Sequence, residues 1–87
     1  MMQIELLYFG RTSEFLMMTS ERLVLAEHVN TLAKVLGELR QRGGRWAYEL
    51  ADGHVLCTVD GASQNLSATV VDGNEIGVFS MRSMCEL

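Results

Sequence analysis

Hydrophobic and polar residues alternate along the first part of the chain, which predicts two strands. Residues 3–9 read QIELLYF, and their alternation is typical of a strand with one buried face. The residues predicted to face inward are Ile4, Leu6 and Tyr8, and those predicted to face outward are Glu5, Leu7 and Phe9. A second strand is predicted over 20–26, with Leu23 and Leu25 inward. The apolar residues between them, in 11–18, favour a short helical turn.

The segment TLAKVLGELRQRGG carries the clearest pattern, which is helical. Its apolar residues fall at i, i+3, i+4 and i+7 and form one stripe, namely Leu32, Val35, Leu36 and Leu39. Thr31 is the predicted N-cap, because its hydroxyl can accept a hydrogen bond from a first-turn amide. Gly43 and Gly44 are predicted to end the helix.

The rest of the chain predicts turns and strands, with Trp46 and Leu50 packed beneath the helix end. Asp-Gly pairs at 52–53, 60–61 and 72–73 predict three turns. Between them, 55–59 is a predicted strand with Cys57 on its inner face, and 64–71 is irregular or holds a short strand. In the last strand, 75–80, the inward set is Ile76 and Val78, and the outward set is Gly77 and Phe79.

This order of elements predicts an α+β fold in which one main helix covers one face of a mixed sheet of four to five strands. A ubiquitin-like β-grasp fits, with the first and last strands parallel and adjacent at the centre. Phe9 and Phe79 would then lie near the same end of the uncovered face. Two exposed aromatic rings there predict a docking site, although ordinary half-buried strand aromatics would give the same pattern.

Length, net charge and the distribution of apolar residues exclude several classes of function. The 87 residues suit one domain, which we predict over 1–80, followed by a flexible C-terminal tail over 81–87. Seven Lys and Arg against eleven Asp and Glu give a net charge of −4, which disfavours nucleic-acid binding. No apolar run is long enough for a bilayer span, and the N-terminus lacks a signal-peptide pattern. We therefore expect a soluble, cytoplasmic protein.

The chemistry-bearing residues do not form a recognisable catalytic or metal-binding set. Cys57 is predicted to be a reduced core thiol, and Cys85 lies in the predicted tail. Two distant cysteines with His28 and His54 give no metal-ligand spacing, and no glycine-rich phosphate loop is present. We predict no cofactor, no metal and no catalytic residue.

Three segments make the chain resemble the small, sulfur-carrier subunit of molybdopterin synthase. They are LYFGR in the first strand, RGGRWAYEL after the helix and DGNEIGVF in the last strand. The resemblance extends from Ile4 to Phe79. It implies a role in molybdenum cofactor biosynthesis, docking on the large subunit of the synthase, and an ATP-dependent adenylating enzyme that activates the C-terminal carboxylate. The small subunit would donate sulfur without a catalytic site of its own.

The resemblance also implies partner-binding residues. Phe9 and Phe79 match family positions that contact the large subunit, and we add their neighbours Leu7, Arg11 and Met81 as candidate partner-binding residues. The chain departs from the family at two places. Asp60-Gly61 stands where the family usually has Asn-Gln, and SMRSMCEL replaces the family's ending in Gly-Gly, the residues that carry the sulfur.

Three hypotheses therefore stay open. The first is a sulfur carrier of the molybdopterin synthase type. The second is a non-carrier ubiquitin-like binding module that docks on the large subunit or on another protein. The third is a carrier that uses Cys85 as a persulfide. This hypothesis is disfavoured because, apart from Arg82, no neighbouring base or cation would stabilise the thiolate.

Overall fold

The computed structural model describes residues 1–51 and 54–80, which form a five-stranded mixed sheet with three helices. The strands are Met2–Phe9 (β1), Ser20–Leu25 (β2), Val55–Val59 (β3), Ala62–Gln64 (β4) and Glu75–Ser80 (β5). The helices are Gly10–Leu16 (α1), Leu32–Arg40 (α2) and Arg45–Glu49 (α3). None of these helices has the length and hydrophobicity that a bilayer span requires.

The sheet has the strand order β2-β1-β5-β3-β4, with β1 and β5 parallel at its centre. The other strand pairs are antiparallel. This arrangement confirms the predicted β-grasp topology. Parallel neighbours need a crossover connection, and α2 lies within that crossover. The pairing of β1 with β5 places Phe9 directly beside Phe79.

The main helix, α2, covers one face of the sheet and closes the core. Its predicted apolar stripe is buried, and the inward residues of β1 and β5 face it at 0–3 % exposure, namely Ile4, Leu6, Tyr8, Ile76 and Val78. The predicted cap is confirmed, because the Thr31 hydroxyl accepts a hydrogen bond from Lys34 N at 3.2 Å. Gly43 and Gly44, which follow the helix, have φ of 77° and 54°, a region that favours glycine.

Two short helices complete the covered side of the sheet. The predicted helical turn after β1 is α1, which ends at Met17 in the left-handed conformation. The segment 45–49 forms α3, which the periodicity did not predict. Trp46 on α3 packs against the core and meets the Tyr8 ring edge-on, with a centroid distance of 5.6 Å, and Leu50 is fully buried. Both residues lie at the end of α2, as predicted. Arg40 in the last turn of the helix donates a hydrogen bond to Leu50 O at 2.8 Å, and Arg42, just after the helix, lies over the Trp46 ring.

The turns are confirmed where the structure describes them. Asp60 and Gly61 have positive φ and join β3 to β4, and Gly73 has positive φ before β5. The short strand predicted as one possibility within 64–71 lies slightly earlier, at Ala62–Gln64, and 65–71 is irregular apart from a bridge between Thr31 and Thr69. The predicted turn at 52–53 and the predicted tail at 81–87 lie outside the described residues.

Candidate docking site

An apolar surface lies on the face of the sheet that α2 does not cover. Side chains from three adjacent strands meet there: Leu7 and Phe9 from β1, Phe79 from β5 and Leu56 from β3. We call these four residues the aromatic patch. Phe9 is 40 % exposed, and the other three are partly exposed.

The two phenylalanine rings are stacked. Their centroids are 4.5 Å apart and their planes differ by only 7°. Such an offset stack contributes roughly 0.5–1.5 kcal/mol beyond the apolar area it buries. The stacked rings lie at the end of the sheet where β5 finishes at Ser80. The predicted placement of both rings on one uncovered face is confirmed, while their role in partner binding stays a prediction.

Leu56 belongs to the aromatic patch, although it was not among the predicted partner-binding residues. Its backbone partner in β5 is Phe79. The signal was present in the alternation of β3, because Val55 and Cys57 face the core and Leu56 therefore points the other way. The pairing of β3 with β5, which the chain order does not specify, is what joins Leu56 to the patch.

Two predicted partner-binding residues remain, Arg11 and Met81. Arg11 is exposed on α1, where it lines a shallow depression with Glu14 and Phe15. Met81 lies outside the described residues. A second group of rings, distinct from the aromatic patch, joins α1, α3 and the segment before β3. Phe15 and Tyr48 are exposed and their ring centroids lie 6.0 Å apart, and the partly exposed His54 ring lies 5.6 Å from that of Tyr48.

The opposite end of the uncovered face is charged. Glu5 and Glu75 are paired in register on β1 and β5, and both are exposed. Arg22 on β2 is the backbone partner of Glu5 on its other side. The uncovered face is thus apolar where β5 ends and charged where it begins.

A polar network lies on the covered side. Arg42 donates two hydrogen bonds to the Glu21 carboxylate at 2.8 and 2.9 Å and lies over the Trp46 ring at 4.3 Å, and the Tyr8 hydroxyl donates to the same carboxylate at 2.7 Å. Burial, followed by the hydrogen bond to Glu21, raises the pKa of Tyr8 well above its usual range. Burial alone would raise the pKa of Glu21, but hydrogen bonds from Arg42 and Tyr8 outweigh it and lower that pKa below 4.5. This network ties β1 and β2 to the loop after α2.

The cysteine that the structure describes is shielded from solvent, and its environment favours the neutral thiol. Cys57 is fully buried, and burial raises the pKa of its thiol to about 11. Across 1–51 and 54–80, no three metal-ligating side chains gather into a cluster.

Comparison with solved structures supports the same fold. A putative molybdopterin converting factor subunit 1 from Pyrococcus furiosus superposes with a TM-score of 0.74 at 19 % identity, over 92 % of this chain and 98 % of that one. The Haloferax volcanii HVO 2177 protein gives 0.76 at 22 % identity, over 91 % and 82 %. SAMP1, a small archaeal modifier protein of Haloferax volcanii, gives 0.72 at 16 %, over 90 % and 93 %. No protein-family profile and no curated protein sequence matches the chain.

Proposed function

We propose that this chain is a cytoplasmic ubiquitin-like docking subunit of the molybdopterin synthase small-subunit type. It binds a larger protein, the synthase large subunit, through the aromatic patch. The observation that carries the proposal is the stacked pair of Phe9 and Phe79, partly exposed where β5 ends. The resemblance of the sequence to the small subunit supports this identity, as does the structural likeness to a molybdopterin converting factor subunit.

The physical basis of docking is the burial of ordered apolar surface. A stacked ring pair is already fixed in the free protein, so binding loses little side-chain entropy. Aromatic residues in the centre of an interface are typical hot spots. The charged end of the same face, with Glu5, Glu75 and Arg22, then forms a polar rim that sets the partner's orientation.

The first candidate activity is sulfur transfer. In that chemistry an adenylating enzyme joins the terminal carboxylate to AMP and releases pyrophosphate, and a sulfur donor then displaces AMP to leave a thiocarboxylate. The terminus is the reacting group, and glycines there allow a thin backbone to enter a narrow channel. The adenylating enzyme would be a second partner of this chain.

The second candidate is a docking module that carries no sulfur. The observation in its favour concerns the segment that follows β5: residues 80–87, SMRSMCEL, include no glycine, so this segment does not itself supply the sulfur-bearing glycines of the family. Branched and charged side chains fit poorly into a channel shaped for glycine, because overpacking costs free energy. Docking through the aromatic patch is common to both candidates.

Alanine substitution tests the docking step. Phe79→Ala and Phe9→Ala should each weaken binding to the large subunit from the same genome by more than about 1 kcal/mol, measured by isothermal titration calorimetry. Phe15→Ala is the matched control, because Phe15 is 39 % exposed, as Phe9 is 40 % exposed, but belongs to α1 and is not one of the four residues of the patch. Equal affinity of Phe79→Ala and the unaltered protein would refute docking through the patch.

Intact-mass spectrometry separates the two candidates. The protein is incubated with the adenylating enzyme, ATP and a sulfur donor. Replacement of one terminal oxygen by sulfur identifies a carrier, whereas an unchanged mass with retained large-subunit binding identifies a docking module. Sulfur found on Cys85 would instead identify a persulfide carrier.

A further inference from the structure

Gly77 is buried although it lies on the face of the sheet that no helix covers. The backbone conformation at 77 does not require glycine, because Gly77 does not have a positive φ. The described glycines that do are Gly10, Gly43, Gly44, Gly61 and Gly73. A strand interior is also a poor place for glycine, since it adds flexibility and packs no side chain. The reason for glycine at 77 must therefore be the space around it.

That space is occupied by neighbours from three directions. A Cβ atom added to Gly77 would overlap the Thr58 hydroxyl oxygen and would lie 3.3 Å from Cε2 of both the Phe9 and the Phe79 ring. Thr58 is the backbone partner of Gly77 in the pairing of β3 with β5. By contrast, a Cβ added to Gly37 on α2 would meet only the end of the Arg40 side chain, at 3.7 Å.

We propose that Gly77 and Thr58 are the positioning residues of the aromatic patch, and that together they form the seat on which its two rings lie. The Thr58 side chain fills the volume that a residue at 77 would otherwise take. The ring edges close over the same position. This inference rests on the proposed docking function, and it assigns to Gly77 and Thr58 the placement of the surface that a partner meets.

The proposal implies that the side chains at 58 and 77 compete for one volume, so that a smaller residue at 58 makes room for a larger one at 77. A methyl group at 77 forces Thr58 to move, and a β-branched side chain has few alternative rotamers. The new methyl also lies against the edges of both rings and shifts them from their place. Removing the Thr58 hydroxyl at the same time frees that volume, so a methyl at 77 then fits with ring movements of a few tenths of an ångström.

Steric complementation tests the seat in the full chain. Gly77→Ala should weaken binding to the synthase large subunit at least about fivefold, which is the scale of a 1 kcal/mol loss. The double variant Gly77→Ala with Thr58→Ala should recover affinity to within about twofold of the unaltered protein. Gly37→Ala is the matched control, because it makes the same chemical change where the new methyl meets only an ordinary van der Waals contact, and it should leave binding unchanged.

The ring positions are measured independently of any partner. In NMR spectra, the Phe9 and Phe79 ring protons and their mutual nuclear Overhauser effects should change in Gly77→Ala and return in the double variant. If Gly77 only stabilised the fold, Gly77→Ala would change the melting temperature, but the ring signals would not change in that variant and return in the double variant. If the unaltered protein does not bind the large subunit, the proposed function fails, while the ring signals still decide the role of the seat.

Two results would overturn the inference. The first is a Gly77→Ala protein with unchanged ring signals, since the rings would then not depend on the space at 77. The second is a double variant that behaves no better than Gly77→Ala, whether in ring signals or in folding. If Gly77→Ala alone does not fold and the double variant does, the shared space is supported directly.

Discussion

Some buried side chains meet partners that are far away in the sequence. Thr12 and Glu49 are both 0 % exposed, and the Thr12 hydroxyl donates a hydrogen bond to the Glu49 carboxylate at 3.1 Å. A buried carboxylate without such partners would be costly. The two residues are 37 positions apart in the chain, so no local pattern could have predicted their contact. In contrast, the apolar run around Cys57 was enough to predict that its thiol is buried.

At the scale of the residue, we predict that Cys57→Ser destabilises the fold. Serine places a hydroxyl in a fully buried apolar site, which costs about 1–3 kcal/mol when the hydroxyl has no partner. The measurement is the free energy of unfolding from urea denaturation. Cys57→Ala is the control, because it shortens the side chain without adding a polar group. A serine variant as stable as the unaltered protein would contradict the burial of Cys57. Affinity for the proposed partner, the synthase large subunit, should not change in this variant.

At the scale of the element, the start of α2 is held by the irregular segment 65–71. The first-turn amides have no partners within a helix. Here Leu32 N donates to Ala68 O at 3.1 Å and Ala33 N donates to Leu66 O at 2.9 Å, while Lys34 N donates to the Thr31 hydroxyl. These bonds explain why a segment without regular structure follows one defined path. The helix and the segment stabilise each other.

We predict that Thr31→Ala lowers the free energy of unfolding by about 1 kcal/mol, the usual cost of losing an N-cap hydroxyl. The lost interaction is the hydrogen bond from Lys34 N at 3.2 Å. The melting temperature and urea midpoint measure the loss. Thr31→Ser keeps the hydroxyl and should retain most of the stability, so equal losses in both variants would show that the cap is not the cause.

Hydrophobic periodicity alone could not predict the short helix α3. It has only five residues, too few for an apolar stripe to repeat, and it begins after two glycines with positive φ. An isolated helix of this length is unstable in water. Packing of Trp46 against Tyr8 and of Arg42 over Trp46 supplies what local propensity cannot.

At the scale of the whole molecule, the network around Glu21 links distant parts of the chain. Tyr8 belongs to β1, Glu21 to β2, and Arg42 to the loop after α2, so one carboxylate joins three regions. Because partners in the folded state lower the pKa of Glu21 below 4.5, folding favours its ionised form. The stabilisation is complete above the pKa of the unfolded chain and is lost as pH falls through the lower pKa of the folded protein.

We therefore predict a loss of stability on acidification, starting near pH 4.5 and continuing below it. The measurement is the urea midpoint as a function of pH. Glu21→Gln removes the titrating group and should flatten this part of the profile. Glu14→Gln, at an exposed position on α1, is the control and should keep the profile of the unaltered protein. An acid-side slope that Glu21→Gln leaves unchanged would refute the assignment.

The sequence by itself determined four of the five described strands, the main helix with its Thr31 cap and the side of the sheet to which Phe9 and Phe79 belong. These features depend on periodicity and on contacts within a few residues, which the order of side chains specifies directly. Only the tertiary structure decided that Leu56 joins the aromatic patch, that Thr58 shares its space with Gly77 and that Thr12 meets Glu49. Those contacts come from the pairing of β3 with β5 and from the packing of α1 against α3. Long-range register depends on how the whole core fills its volume, and no short stretch of sequence contains that information.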